Sequence, residues 1–262
     1  MDYLLYIVMF VLGVFGSFFS GLLGIGGAII NYPLLLFVPS TLQLASFTPQ
    51  EVSAISMFQV FFASLAGVLS YRRKPETAAL ILKPLVLYMG SSILLGSLIG
   101  GFSSKFLPNE MINLLYGVLA VVAVVLMLIP NRGKEQTIGS AIPFNKIVAV
   151  LSAFVVGIVS GVVGAGGAFI LIPIMLTVLR IPTRTTIASS LAIVFISAIG
   201  GVIGKLAAGN ILWLPILFTV IGSIIGAPLG SKVSSKINVH VLRYGLVLLI
   251  SVTAVKIWMD IL

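Results

Sequence analysis

The 262-residue chain lacks cysteine and has few charged residues. The first absence excludes thiol chemistry, and the second argues against a soluble protein. Without cysteine it can form no disulfide and use no thiolate as nucleophile or metal ligand. Charged residues make up 8% of the chain and hydrophobic residues 60%, whereas soluble domains carry about 25% charged residues. So little polar surface predicts an integral membrane protein. The apolar stretches are continuous rather than alternating, which favours helices over a barrel.

Acidic residues are also missing from the centres of the apolar segments. The six acidic residues fall near segment ends or in connections, at Asp2, Glu51, Glu76, Glu110, Glu135 and Asp260. Cation transporters and proton pumps usually bury a carboxylate, so this pattern favours an anion. The only histidine, His240, has no buried acid for Ser-His-Asp catalysis and cannot form a metal cluster alone. We therefore expect no enzyme activity, no metal and no cofactor.

Ten apolar segments account for most of the chain. They lie at 3–20, 28–38, 52–71, 79–102, 110–130, 146–163, 168–179, 185–206, 211–231 and 238–261. A polar connector at 131–145, expected to be cytoplasmic, separates a first membrane repeat at 1–130 from a second at 146–262. The second and seventh segments are too short to cross the hydrocarbon core, which takes about 20 helical residues.

The two short segments follow copies of one glycine-rich motif. GLLGIGGAIINYP occupies 21–33 and GVVGAGGAFILIP occupies 161–173, with nine identities in 17 positions when 20–36 is set against 160–176. The correspondence continues further along, where Pro49, Ser56, Phe62, Ser64 and Gly67 align with Pro182, Ser189, Phe195, Ser197 and Gly200. This pattern indicates an internal duplication. Glycine and proline both weaken helices, so each half should contain a broken or re-entrant helix.

The basic residues predict opposite orientations for the two halves, because about five segments per half start them on opposite sides. With the N-terminus outside, twelve of the 15 Lys and Arg residues lie inside: Arg72, Arg73, Lys74, Lys83, Arg132, Lys134, Lys146, Arg180, Arg184, Lys232, Lys236 and Arg243. Lys105, Lys205 and Lys256 lie outside. This positive-inside bias predicts inverted repeats in the inner or plasma membrane. We expect 3–20, which lacks a basic leader, to be retained. Each half's first two segments form either two spans or a re-entrant hairpin.

Inverted repeats with broken helices are typical of secondary transporters, which bind substrate near the membrane midplane. Free N–H groups at a helix break stabilise an anion. We therefore place Gly26, Gly27, Gly166 and Gly167 in a substrate site. The alternative is that these glycines only allow close helix packing.

Polar side chains inside the spans are the other candidates for substrate binding. Asn31 and Gln59 are costly to bury in lipid and are candidate ligands. Ser56 in the first half and Ser189 and Ser190 in the second occupy matching stretches. For the serines, the alternative is a hydrogen bond back to their own helix. We attribute the net charge of +9 to membrane orientation rather than to nucleic-acid binding.

The paired glycine motifs, with AISMFQVFF at 54–62 and IASSLAIVF at 187–195, resemble the TauE/SafE family over essentially the whole chain. The resemblance implies transport of sulfite, sulfoacetate or related organosulfonates, generally outward. It places the four motif glycines on the family's repeated motif, and Ser56, Gln59, Ser189 and Ser190 on its small-polar stretch. The sequence Ile-Ser-Met at 55–57 departs from the Thr-Ser or Ser-Ser pair frequent in that family.

The expected protein is thus an all-α polytopic membrane protein of two inverted repeats. Its function would be secondary transport by alternating access, in which a small anion binds at the membrane midplane between the repeats. Its partners would be that anion and the lipid bilayer, and a homodimer stays open. An alternative is a membrane scaffold subunit for a partner enzyme of sulfur metabolism.

Overall fold

The computed structural model describes most of the chain. The described residues are 2–23, 28–73, 75–128, 143–209, 211–234, 237, 244–245, 248, 251–252, 255 and 258–259. No β-strand occurs among them. The prediction of an all-helical protein is therefore confirmed for these residues.

Ten helices are delimited in this part of the chain. They are α1 (Asp2–Leu23), α2 (Ala28–Thr41), α3 (Pro49–Arg72), α4 (Pro75–Ala78), α5 (Lys83–Ser103), α6 (Asn109–Leu128), α7 (Lys146–Val163), α8 (Ala168–Pro173), α9 (Thr183–Ala208) and α10 (Trp213–Ser234). A 3-10 turn extends α5 and a π turn extends α8. The first nine predicted segments coincide with helices, and the tenth lies largely outside the described residues. Six helices (α1, α3, α5, α7, α9 and α10) are long and apolar enough to cross a membrane.

Local sequence signals fix where the spans begin. Thr48 and Glu51 form a capping box at the start of α3, in which the Thr48 side chain accepts from the Glu51 N–H and Glu51 accepts from the Thr48 N–H. Asn145 caps α7 by accepting from the N–H groups of Ile147 and Val148. These caps satisfy backbone donors that the first helical turn leaves free.

Two pairs of helices pack side by side through glycine. On α10, every fourth residue is a glycine whose added Cβ would collide with a carbonyl of α1: Gly222, Gly226 and Gly230 face Phe10, Val14 and Phe18. Likewise Gly157 and Gly161 of α7 lie against the carbonyls of Ile93 and Ser97 in α5. Small residues permit this close approach between membrane helices. In both pairs the numbering increases in the same direction, so each pair is parallel.

The central helices α3 and α9 run antiparallel. Gly67 lies beside Leu191, and the ring of Phe61 lies 5.3 Å from that of Phe195. Helix α5 is parallel to α9, since Gly200 and Gly204 meet the carbonyls of Leu94 and Leu98.

The helices share two ends of one bundle. The Tyr71 hydroxyl of α3 donates to Ser234 of α10 at 3.4 Å, which places the last turns of α3 and α10 together. One end therefore holds the C-termini of α1, α3 and α10 and the N-termini of α5, α7 and α9, and we name it the Arg72 end. The opposite end, which holds the C-termini of α5, α7 and α9, is the Lys205 end.

Candidate functional site

The second glycine motif forms a true helix break. Helix α7 ends at Val163 and α8 begins at Ala168. Between them Gly164, Gly166 and Gly167 have φ values of 79°, 64° and 80°. This left-handed conformation is readily adopted by glycine and costly for other residues. In the first motif α1 ends at Leu23 and α2 begins at Ala28, while Gly26 and Gly27 lie outside the described residues.

The break reaches the middle of the bundle. A Cβ on Gly166 would lie 2.6 Å from a methyl of Val60 and 3.1 Å from one of Val194. A Cβ on Gly167 would lie 3.1 Å from the Ile93 side chain. Val60, Val194 and Ile93 stand near the midpoints of α3, α9 and α5. The backbone of the break is therefore enclosed by three spans at mid-depth.

Asn31 of α2 is buried without a protein partner. Its exposure is 1%, and among the described residues neither amide atom has a hydrogen-bond partner. The amide lies against Gly16 of α1, where an added Cβ would overlap the Asn31 oxygen. Most buried polar atoms are hydrogen-bonded, so an unpartnered amide indicates a place where another polar molecule can bind.

Gln59 of α3 faces the same side of α1. Its Nε2 donates to the Gly13 carbonyl and to Ser17 Oγ, both at 3.3 Å, and its Oε1 has no partner in the described chain. Positions 13, 16, 17 and 20 of α1 share one helical face. Asn31 and Gln59 therefore approach one stripe of small residues on α1.

Two serines extend this group of polar side chains. Ser20 lies on the same α1 stripe, and Ser56 precedes Gln59 by one helical turn on α3. Both are fully buried, and neither hydroxyl has a partner in the described part of the chain. We call Ser20, Asn31, Ser56 and Gln59 the buried polar cluster. All four are uncharged, so the unpartnered atoms of the cluster are one amide nitrogen, two hydroxyls and two amide oxygens, with no carboxylate.

An aromatic stack links the helices that follow the two motifs. Tyr32 of α2 stacks on Tyr116 of α6 at 4.7 Å and donates from its hydroxyl to Asn113 at 2.8 Å. Tyr116 also stacks with Phe169 of α8 at 6.2 Å. Helix α6 therefore fixes α2 and α8 on either side of one tyrosine. Asn31 and the Gly166 break are positioned by the same contacts.

Ser189 and Ser190 lie apart from the buried polar cluster. Ser189 Oγ accepts the Leu82 N–H at 2.9 Å, and Ser190 Oγ donates back to the Ile187 carbonyl at 2.9 Å. Since Leu191 lies beside Gly67 and the two helices are antiparallel, these serines sit nearly three turns along α3 from Gln59, roughly 14 Å toward the Arg72 end. For Ser190 the back-bonding alternative describes the contact.

Lys205 is buried, although its sequence position suggests only a helix-end charge. Its exposure is 2%, and Nζ donates to the Val162 carbonyl at 2.8 Å. Ser53 Oγ donates to the same carbonyl at 2.7 Å. The signal in the sequence is that all residues at 198–208 except Lys205 are apolar or glycine. A lysine inside such a run has no polar neighbour along its helix.

A groove of about 1010 Å³ opens between α3, α5 and α9 at the Arg72 end. Its walls include Leu69, Arg72, Lys83, Leu87 and Phe195. None of the predicted site residues lines it. The groove is therefore a different place from the site formed by the unpartnered polar atoms, although its volume is large.

Comparison with known proteins agrees with a membrane transporter. The family described as "Sulfite exporter TauE/SafE" matches residues 9–257. The probable membrane transporter protein YunE of Bacillus subtilis is 26% identical over 83% of this chain and 84% of its own. A probable membrane transporter protein of Methanocaldococcus jannaschii is 26% identical over 79% and 73%. One from Xylella fastidiosa is 30% identical over 67% and 64%. No solved structure gives a significant match.

Proposed function

Since the chain belongs to the TauE/SafE family, we propose that this membrane transporter moves small sulfur-containing anions such as sulfite, sulfoacetate or related organosulfonates. The proposed direction is outward, by alternating access. The observation that carries the proposal is the buried polar cluster, above all the unpartnered amide of Asn31.

The chemistry of the cluster suits an anion. Asn31 provides unpartnered amide N–H donors, and Ser20 and Ser56 provide hydroxyl donors. Gln59 Nε2 donates to Gly13 and Ser17 of α1, so Gln59 would turn its N–H groups to the anion by exchanging these two long hydrogen bonds. A site for a cation would need carboxylates or several converging carbonyls. The N-terminal turn of a broken helix adds partial positive charge. We therefore place the anion between α1, α2 and α3, with the Gly166–Gly167 backbone on its other side.

The helix directions support two inverted repeats, at 1–130 and 146–262, joined by 131–145. Helices α1, α3 and α10 run toward the Arg72 end, whereas their counterparts α7, α9 and α5 run away from it. Packing partners also cross between the halves, since α1 lies on α10 and α7 lies on α5. Such an arrangement lets one half move against the other around a shared site.

The charge distribution supports an N-terminus outside and the Arg72 end in the cytoplasm. Exposed described basic residues at or near that end are Arg72, Arg73, Lys83, Lys146, Arg180, Arg184 and Lys232. At the other end the described basic residues are Lys105 and Lys205. This is the positive-inside pattern of a plasma-membrane protein.

Flux from proteoliposomes tests the proposed function. Purified protein is reconstituted into vesicles loaded with sulfite or sulfoacetate, and efflux is compared with protein-free vesicles and with vesicles loaded with a sodium salt of gluconate. We expect efflux of at least one sulfur anion and none of gluconate. Failure to move any sulfur oxyanion or sulfonate would refute the proposal. Transport by the purified chain alone would also remove the need for the scaffold alternative.

A further inference from the structure

Lys205 is a cation in the interior of a membrane helix bundle. Its ammonium touches the Val162 carbonyl in the last turn of α7, just before the Gly164 break. An ionisable residue within a membrane span is costly to bury and usually has a functional partner. A carbonyl at a helix C-terminus carries partial negative charge, so it stabilises the ammonium only in part.

No carboxylate neutralises Lys205 among the described residues. In the described part of the chain its hydrogen-bond partner is the Val162 carbonyl. The acidic residue of the neighbouring helix α3 is Glu51, and its carboxylate is engaged in the capping box with Thr48. A buried ammonium facing only a carbonyl is therefore a site with unsatisfied charge.

The ammonium lies beside a polar recess at the Lys205 end. Lys205, Lys105, Gln50 and Ser104 line this recess together with Ala208 and Gly209. The recess has a volume of about 10 Å³, and its Lys105 and Gly209 rim is exposed while Lys205 is buried. Gln50 Nε2 donates to the Leu107 carbonyl and Ser104 Oγ donates to the Gly101 carbonyl, while Lys105 Nζ lies 4.0 Å from the centre of the Phe102 ring. The two ammonium groups are therefore the charged donors that this recess offers to an oxyanion.

We propose that Lys205 is the countercharge for the transported anion when the path opens to the Lys205 end. In this structure the Lys205 ammonium donates a hydrogen bond to the Val162 carbonyl. The Ser53 hydroxyl of α3 donates a second hydrogen bond to the same carbonyl. When the halves separate at this end, the ammonium leaves the carbonyl and pairs with an anion oxygen. The anion then passes between Lys205 and the buried polar cluster. This inference rests on the proposed function and assigns the charge that its neutral cluster lacks.

Ser53 provides a matched control, since it donates to the same carbonyl without carrying charge. Lys205→Gln removes the charge, Lys205→Arg keeps it, and Ser53→Ala removes only the second hydrogen bond. In proteoliposomes of uniform orientation we measure KM for sulfite supplied from the Lys205 end, together with the apparent Tm of each purified variant. Lys205→Gln should raise KM at least about tenfold, as expected for loss of a buried ionic partner. Lys205→Arg should restore most of the affinity, and Ser53→Ala should lower Tm while leaving KM within about twofold.

Two results would overturn the inference while leaving the proposed function intact. One is an unchanged KM in Lys205→Gln, and the other is an equal rise in KM in Ser53→Ala and Lys205→Gln.

If Lys205→Gln is not recovered folded, Lys105→Gln tests the same recess from its exposed rim. It should raise KM about threefold or more at low salt and less at high salt, since salt screens exposed charges. A salt-independent, unchanged KM would likewise overturn it. An inactive wild-type protein would instead refute the proposed function.

Discussion

The two halves of the chain carry one motif but different interiors. Asn31 in the first half aligns with Leu171 in the second, and Gln59 aligns with Ala192. Asn31 and Gln59 are buried with unpartnered atoms, whereas Leu171 is packed in the apolar core and Ala192 lines the groove near the Arg72 end. In the proposed site, the first half therefore supplies the amide ligands, and Ser197 Oγ is the buried hydroxyl that has no partner among the described residues of the second half. We propose that the second half contributes the backbone of the Gly166 break instead.

The largest effect should come from filling the break of the second half. Gly166→Val combines a left-handed φ of 64° with contact against Val60 and Val194. Conformational strain and overpacking together should cost about 3–5 kcal/mol. We expect little folded protein by size-exclusion chromatography and no transport. Gly209→Ala is the control, because its φ is 86° but nothing lies within 4 Å of an added Cβ. It should cost about 1 kcal/mol. Equal behaviour of the two variants would contradict packing at the break.

Exchanging the aligned residues of the two halves should separate function from stability. Asn31→Leu removes a buried amide without a described partner, so its apparent Tm should stay near the wild-type value or rise. Sulfite efflux should fall at least about tenfold, since a lost site donor raises the barrier by about 1.4 kcal/mol or more. Leu171→Asn should instead lose about 3 kcal/mol of stability, because an unpaired amide replaces a packed leucine. If Asn31→Leu transported normally, the first half would not contain the site.

Gln59→Ala gives the first half the residue found at the aligned position of the second. It removes two long hydrogen bonds to α1, both at 3.3 Å, and one unpartnered oxygen. We expect a decrease in efflux rate of about three- to tenfold with a Tm change of a few degrees. Efflux kinetics and thermal unfolding in detergent check this expectation. A large Tm loss with unchanged KM would make Gln59 a packing residue.

The smallest effect is expected at Ser190. Its hydroxyl donates to the Ile187 carbonyl of its own helix and lies away from the buried polar cluster. Ser190→Ala should change stability by less than about 1 kcal/mol and leave KM within about twofold. A strong rise in KM would show that the second half supplies a ligand through its small-polar stretch, and would weaken the contrast between the halves.

Hydropathy and glycine placement predict most of the fold. Long apolar runs define the six spans, and the Gly-Pro pattern predicts where α7 and α8 separate. Asn31 and Gln59 can be predicted from sequence, because burying an amide in a membrane helix costs free energy unless the amide has a hydrogen-bond partner. The short helix α4 could not be separated from the start of the next apolar run, since four residues carry no periodicity.

Tertiary packing decides how deep and beside which helices a residue lies, which sequence alone does not show. Ser189 and Ser56 align in sequence, yet the antiparallel crossing of α3 and α9 puts them at different levels, and Leu82 engages Ser189. The sequence position of Lys205 predicts a charge at a helix end, because its depth depends on how α7 packs beside it. Both depend on contacts between helices far apart in the chain, which hydropathy does not encode.

A structure determined with saturating sulfite or sulfoacetate tests the central claim most directly. The account predicts anion density between α1, α2 and α3, within hydrogen-bond distance of Asn31 and Gln59 and adjacent to the Gly166–Gly167 backbone. The same density should be absent when Asn31→Leu protein is studied at the same concentration. Density in the second half beside Ser189 and Ser190, with none at Asn31, would contradict the account.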